Sequence, residues 1–237
     1  MRCIECGAAV DSLYTEYAKD NFRLTQCPRC LRFADKYVEF DYVILTIDTM
    51  LIKPQVYRHL LFNTLAREDD KLDPSTRRLG ILLLLFEVYL TWFRVERTSL
   101  ASTTTTNLLI DESLMVQYGY FFVYVLLSTL ALHVAAISLA RVLCNWRKPH
   151  MVSTALFLSS CVKLLPVLMV IWNYDSRTAE ALVECAMVAY NIEALRILLE
   201  CGVLTATVIA VLSTLVRLAA CALLLRVTRL GSQPYFA

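Results

Sequence analysis

Four cysteines near the start of the chain have the spacing of a metal site. Cys3 and Cys6 form one Cys-x-x-Cys pair, and Cys27 and Cys30 form a second pair after an interval of twenty residues. The two-residue gap lets both sulfurs of a pair turn toward one ion, and the second pair closes a tetrahedron around it. The spacing therefore predicts one structural zinc ion held by four thiolates, with no position left for water or substrate. A pair of disulfides is the alternative.

The segment between the two cysteine pairs favours a β-hairpin. Short runs that carry aromatic residues, Ser12–Tyr17 and Phe22–Thr25, flank a turn at Asp20-Asn21. So small a hairpin cannot bury a core of its own, and the metal would supply most of its folding free energy. We therefore expect residues 1–40 to form a zinc-ribbon-like domain.

The rest of the chain is apolar enough to lie in a membrane. Of its 237 residues 58% are hydrophobic, against about 45–50% in a typical soluble protein. The net charge of +2 gives no argument for a nucleic-acid partner, and no basic stripe with interleaved aromatic residues follows the cysteines. We expect a multi-pass α-helical membrane protein with a small N-terminal zinc ribbon, and no nucleic-acid binding.

Four apolar stretches are candidates for membrane-spanning helices within a helical membrane domain of residues 79–230. They lie near residues 79–95, 118–143, 151–172 and 203–225, and residues 181–200 form either an amphipathic helix or a fifth span. Lys and Arg are frequent before the first stretch, after the second and in the tail, so four spans would leave these regions in the cytosol. A cytosolic N-terminus would also keep the thiols reduced and able to bind zinc.

Two segments connect the ribbon to these stretches. Tyr42–Ile52 is an apolar run too short to cross a bilayer, and Tyr57–Asn63 mixes basic and apolar residues. We expect residues 41–66 to form one or two amphipathic helices at the membrane face, followed by a charged connector at residues 67–78. The alternative is a soluble helical pair packed on the ribbon. At a membrane face, the candidates for contact with lipid head groups are Tyr57, Arg58, His59 and Asn63.

Three charged residues, Glu87, Lys163 and Arg217, lie inside the apolar stretches. A charge in a bilayer costs about 2.5–3.5 kcal/mol on insertion scales, so each should find a partner or face a polar cavity. They could form a polar pathway or a lipid head-group site, or simply an ion pair between helices, because Glu87 and Lys163 have opposite charge. The sequence lacks a phosphate loop, a nucleophile elbow and an aspartate-rich motif, and we do not expect an enzyme.

Beyond the cysteines, a longer pattern resembles a known family. The residues that carry it are the two cysteine pairs, Asp35–Asp41, Ile47-Asp48, Leu51–Lys53 and Tyr57–Asn63. In their order and spacing they resemble the homology domain of the Arv family, eukaryotic endoplasmic-reticulum membrane proteins linked to sterol transport and lipid homeostasis.

The resemblance implies residence in the endoplasmic reticulum membrane and roles in intracellular sterol transport, sphingolipid metabolism and the synthesis of glycosylphosphatidylinositol (GPI) anchors. Two interpretations follow. In the first, the protein handles sterol or a related lipid. In the second, it is a membrane scaffold whose zinc ribbon docks proteins of GPI-anchor biosynthesis.

Overall fold

The computed structural model describes residues 1–18, 21–65, 71–101, 113–165 and 177–227. Within them the chain is mostly helical and has one small two-stranded sheet near its N-terminus. Part of the expected connector, the tail beyond residue 227, and Asp20 of the expected turn lie outside the described residues.

The expected hairpin is confirmed. Strands β1 (Tyr14–Ala18) and β2 (Asn21–Leu24) pair antiparallel, with Tyr14 opposite Leu24. The rings of Tyr14 and Phe22 lie 5.5 Å apart and form a cross-strand aromatic pair. Asn21 opens β2 instead of lying in the turn, because it pairs with Ala18 across the sheet.

Three short helical elements follow the hairpin. A 3-10 turn at Lys36–Glu39 leads to α1 (Tyr42–Met50), and α2 (Pro54–Arg58) begins with a proline, whose missing N–H is not needed there. The chain then continues without a break as a π-helical turn at His59–Thr64. Both expected helical segments are therefore present, but their surroundings differ. Helix α1 exposes an apolar surface, whereas α2 is buried against the rest of the protein.

Five longer elements complete the described chain: α3 (Pro74–Ala101), α4 (Leu114–Cys144), α5 (Pro149–Ser159) with a 3-10 turn at Ser160–Leu164, α6 (Arg177–Leu199) and α7 (Val203–Val227). Helix α7 packs on α4 and α6, α5 packs on α6, and α3 packs on α4. Fully buried alanines on the packed faces, among them Ala136, Ala194 and Ala206, let the backbones approach closely.

Among the described residues, two helices, α4 and α7, are long and apolar enough to cross a membrane. They coincide with the stretches expected near residues 118–143 and 203–225. The stretch near residues 79–95 lies in α3, which carries Glu87 and, toward its end, Arg94, Glu96 and Arg97. The stretch at 181–200 lies almost wholly in α6.

The stretch expected near residues 151–172 is not one continuous α-helix in its described part. Helix α5 ends at Ser159 and a 3-10 turn follows. The hydroxyl groups of Ser159 and Ser160 both donate to the carbonyl oxygen of Leu156, at 3.0 and 2.7 Å. Such side-chain bonds compete with the helical ladder and bend helices. Residues 166–172, with Pro166 and Trp172, lie outside the described residues.

Candidate metal centre and its junction with the helices

The sulfur atoms of the four cysteines form one cluster. All four sulfurs lie within 4.8 Å of one another, with Sγ–Sγ distances of 3.7 Å between Cys3 and Cys30 and 3.6 Å between Cys6 and Cys27. A tetrahedron of sulfurs at the usual Zn–S bond length of about 2.3 Å has edges of about 3.8 Å. Because a disulfide would need about 2.05 Å, the geometry fits a metal ion and leaves all four cysteines free.

Each cysteine pair forms the same backbone knuckle. The N–H of Gly7 donates to the carbonyl of Cys3, and the N–H of Leu31 donates to that of Cys27, both at 2.9 Å. Gly7 and Leu31 follow the second cysteine of their pair and have positive φ angles of 74° and 59°. Glycine adopts this conformation freely, whereas leucine is strained in it.

The thiols hold their protons unequally in the absence of an ion. Burial raises the pKa of Cys3 to about 12, and the backbone N–H groups of Cys30 and Arg29 lower the pKa of Cys27 to about 6. The thiolate form of Cys27 is thereby favoured, and the positive charge of a metal ion would favour loss of the proton from Cys3. With four sulfur ligands the site suits a structural zinc ion.

The metal centre is joined to the helices through Asp35, which is fully buried. One oxygen of this carboxylate accepts from the backbone N–H of Tyr37 at 3.0 Å. The other accepts from Nδ1 of His59 at 2.6 Å and from the side-chain amide of Asn63 at 2.7 Å. Asp35 therefore ties the end of the ribbon to the π-helical turn.

Two further contacts hold the first cysteine knuckle. The guanidinium of Arg58 donates to the carbonyl oxygens of Ile4 at 2.7 Å and Glu5 at 3.0 Å. The side chain of Asn63 accepts from the backbone N–H of Arg2 at 2.8 Å and donates to its carbonyl at 2.9 Å. Since Ile4 also belongs to the same apolar core as the helices, the ribbon and the helices pack as one body.

These contacts show where the four candidate head-group residues lie. Tyr57 is fully buried, and within the described chain its hydroxyl has no hydrogen-bond partner. Arg58 and Asn63 bind the ribbon, and His59 binds Asp35 and lies 3.1 Å from the hydroxyl of Thr64. The observed partners of Arg58, His59 and Asn63 are thus within the protein, and contact of any of the four residues with a lipid head group stays a prediction.

The three charges expected within the apolar stretches form a network. Lys163 donates to Glu87 at 2.7 Å. Arg217 donates to Glu184 at 2.7 Å and lies 3.8 Å from Glu87. The network ties α3, α6, α7 and the turn after α5 together, as expected of ion pairs between helices. A polar pathway for lipid stays a prediction.

An apolar cavity of about 870 Å³ opens beside the junction. Its walls come from the 3-10 turn after the ribbon, α1, the π-helical turn, the segment from Leu158 to Leu164, and Tyr190 of α6. Polar groups enter at His59, Asn63 and Thr64, and the described lining contains Asp41 but no Lys or Arg. Volumes of about 300–1,000 Å³ with apolar walls and a few convergent polar groups are typical of ligand sites.

Sequence reasoning missed the buried acids that organise this junction. Asp48 accepts from the hydroxyl of Tyr37 at 2.7 Å and from Lys53 at 2.6 Å. Its burial would raise the pKa of Asp48, but these two hydrogen bonds outweigh burial and hold that pKa below its ordinary value. Both acids lie in segments that carried the family resemblance, but the sequence assigned neither a role. A carboxylate inside an apolar run was the further available signal for Asp48, and Asp35 had no such signal.

The described fold and site define the class: a mostly helical protein with a four-cysteine metal module docked on its helices, two of which could cross a membrane. A model of the Arv1-like family matches residues 2–195. The chain is 39% identical over 202 residues to protein arv1 of Schizosaccharomyces pombe, and the aligned region covers 84% of this chain and 75% of that protein.

Similar relatives occur in distant organisms. The chain is 33% identical over 210 residues to the arv1 homolog of Dictyostelium discoideum, covering 84% of this chain and 85% of that protein. It is 31% identical over 205 residues to human protein ARV1, covering 84% and 72%. No solved structure matches the chain. The chain therefore belongs to the Arv1-like family, which confirms the resemblance, and the relatives' names state no catalytic activity.

Proposed function

We propose that this protein binds sterol or a related lipid and mediates intracellular sterol transport and lipid homeostasis, with an influence on sphingolipid metabolism, in the endoplasmic reticulum membrane. The observation that carries the proposal is the apolar cavity of about 870 Å³ at the junction of ribbon and helices. Family membership supports a role shared with relatives, and the cavity supports a lipid as the bound molecule.

The chemistry of the cavity suits a lipid with a small neutral head group. Apolar walls would cover the hydrocarbon part, since burial of apolar surface contributes about 25 cal/mol per Å². The ring of His59, the amide of Asn63 and the hydroxyl of Thr64 lie at its polar edge and could share hydrogen bonds with a sterol hydroxyl. A phosphate would meet the carboxylate of Asp41 there, and the described lining offers it no Lys or Arg side chain.

The same proposal includes a place at the membrane. Helix α1 exposes Val43 and Ile47 on one face and lines the cavity with Leu45 and Thr49 on another. A short helix of this kind suits insertion into the surface of one leaflet, from which a lipid could enter. Helices α4 and α7 would cross the bilayer.

For the whole chain we propose a ribbon at 1–40, an interfacial segment at 41–66, a connector at 67–78 and a multi-pass membrane domain at 79–230, with the N-terminus in the cytosol. Zinc would be structural, because four sulfurs fill its coordination sphere. The GPI scaffold has no support in the described residues or in the relatives' names, and we do not propose it.

Photo-crosslinking of a sterol probe to the purified full-length protein tests the proposal. Leu45→Trp places a bulky ring on the cavity wall, and we expect it to reduce saturable labelling at least fivefold. Ile44→Trp is the matched control, because Ile44 is 40% exposed and lies on the same helix outside the cavity lining. Direct lipid binding would be wrong if labelling of the wild type does not saturate, or if both variants lose it equally.

A further inference from the structure

A second, polar cleft lies beside the metal centre. It measures about 410 Å³ and is formed by Arg2 near the N-terminus, both cysteine knuckles, α2, Phe62 of the π-helical turn and the end of α6. Four arginines line it: Arg2, Arg29, Arg58 and Arg196. They come from four separate parts of the chain, so only the tertiary structure brings them to one concave surface.

Two of these arginines have carboxylate partners inside the cleft. Arg2 pairs with Glu200, and Arg196 lies 3.2 Å from Glu193. The guanidinium of Arg2 is held in place further by the ring of Phe62, whose centroid is 4.3 Å away. These two pairs account for both glutamates that line the cleft.

The other two arginines keep an uncompensated charge. Arg58 binds the neutral carbonyl oxygens of Ile4 and Glu5, which fix its position without cancelling its charge. Arg29 is exposed at the tip of the second knuckle. In the described part of the chain, neither has a carboxylate oxygen within 4.0 Å. A guanidinium fixed as that of Arg58 is, with a second exposed one beside it, favours an anion with several oxygens, because a guanidinium can donate two parallel hydrogen bonds.

The position of the cleft suits a membrane surface. Its lining includes Glu200 and Cys201, and α7, which is apolar enough to cross a membrane, begins immediately afterwards at Val203. The side chain of Cys201 also lies close to that of Cys144, the last residue of α4. The end of one candidate membrane helix and the start of the other therefore lie beside the cleft. If both helices cross a bilayer, the cleft would lie near the lipid phosphates of one leaflet.

We propose that this cleft binds a phosphate group, either in the head group of an anionic lipid or as free phosphate. Arg29 and Arg58 would contact the phosphate oxygens, and Arg2 and Arg196 would shape the walls. The site is separate from the apolar cavity and does not depend on sterol binding. A competing explanation is that the arginines only neutralise a zinc ion with four thiolates, which carries a net charge of −2.

The test titrates dioctanoyl phosphatidate into the full-length, zinc-loaded protein in an uncharged detergent, with excess dioctanoylglycerol present to occupy the apolar cavity. We expect saturable binding that Arg29→Glu weakens about tenfold or more, as loss of a charge-assisted contact requires. Arg32→Glu is the matched control, since it makes the same charge change at another exposed arginine of the module that does not line the cleft. It should stay within about twofold of the wild type.

Zinc content, measured on every sample, separates the two explanations. Retained zinc with weakened binding in both Arg29→Glu and Arg196→Gln supports the phosphate site. Inorganic phosphate that binds equally well, with the same dependence on Arg29, also supports it and assigns free phosphate as the ligand. The proposal is overturned if phosphatidate does not saturate, or if Arg29→Glu and Arg32→Glu weaken binding equally. It is overturned as well if Arg29→Glu loses zinc while Arg196→Gln binds normally.

Discussion

The apolar cavity and the arginine cleft use the same short segment in opposite ways. The segment from Pro54 to Thr64 contributes His59 and Asn63 to the cavity and Arg58 to the cleft. Consecutive residues of a helix point about 100° apart, so neighbours in the sequence can serve different surfaces. The described lining of the cavity has no Lys or Arg, whereas that of the cleft has four arginines.

The difference shows how one junction between ribbon and helices can carry both an apolar cavity and an arginine-lined cleft. Both surfaces are completed by the ribbon, which contributes Leu13 and Tyr14 to the cavity and Cys6 and Arg29 to the cleft. The metal centre therefore supports both, and the contacts that dock the ribbon are shared. Variants can remove the two surfaces together or one at a time.

Loss of the metal should have the largest effect and abolish both surfaces. In the double variant Cys27→Ser/Cys30→Ser we expect no bound zinc and an unfolded ribbon, because a structural zinc supplies on the order of 10 kcal/mol to a module of this size. Elemental analysis and limited proteolysis of residues 1–40 would measure this. Cys185→Ser is the control at an exposed lone cysteine. A double variant that resists protease like the wild type would contradict a structural metal.

Asp35→Ala should undock the ribbon while leaving the metal in place. Removal of the carboxylate leaves the buried His59 and Asn63 without their shared partner, at a cost of about 3–5 kcal/mol. We expect a lower free energy of unfolding in denaturant, normal zinc content, and loss of both sterol labelling and phosphatidate binding. Asp11→Ala, at an exposed acid of the same module, should change none of these. Normal ligand binding in Asp35→Ala would show that docking is not shared.

Crossing the two single-surface variants sharpens the comparison. Leu45→Trp should reduce sterol labelling about fivefold or more and leave phosphatidate binding within about twofold, because Leu45 lines the cavity and does not line the cleft. Arg29→Glu should do the reverse. Both ligands measured on both variants form a four-way comparison. Loss of both ligands in either variant would mean that the two surfaces form one site.

The contribution of Asp48 should depend on pH. Its folded-state pKa lies below the ordinary value because of Lys53 and Tyr37, so its stabilisation is present above about pH 4 and is lost as pH falls through the folded-state pKa. Asp48→Asn should lower the free energy of unfolding by about 1–3 kcal/mol at neutral pH. The gap between the two proteins should close in acid. Because both keep the four cysteines, acid release of zinc affects them alike, and a gap that widens as the pH falls would contradict this account.

Leu31→Gly should have the smallest effect, and a favourable one. Leu31 has a φ of 59° and is 77% exposed, so its side chain contributes little packing and carries backbone strain. Replacement by glycine should stabilise the ribbon by about 1 kcal/mol, measured as slower zinc release to a chelator. Leu31→Ala keeps the strain and should not slow release. Faster release from Leu31→Gly would show that the side chain stabilises the knuckle.

Much of the fold could be predicted from local pattern. The hairpin follows from two β-prone runs, and the helices α4 and α7 follow from long apolar stretches. The end of α5 at Ser159 could not be predicted from the sequence in the same way. A serine in an apolar run can continue a helix or bend it, depending on the groups around it. Residues 41–66 were expected to form one or two amphipathic helices at the membrane face. In the structure α1 exposes an apolar face and α2 is buried in the protein, a difference that hydrophobic periodicity alone does not predict.

The sequence by itself predicted the cluster of four cysteines that could hold a metal ion, because a Cys-x-x-Cys pair restricts its two sulfurs to one small volume and two such pairs can close around one ion. It also determined that Glu87 and Lys163 need partners, since each lies in an apolar stretch. Only the tertiary structure decided that they pair with each other across 76 residues. It alone also placed Asp35 between His59 and Asn63 and collected four arginines beside the cysteines. These arrangements depend on side chains from distant segments, whose separations are fixed only when the core packs.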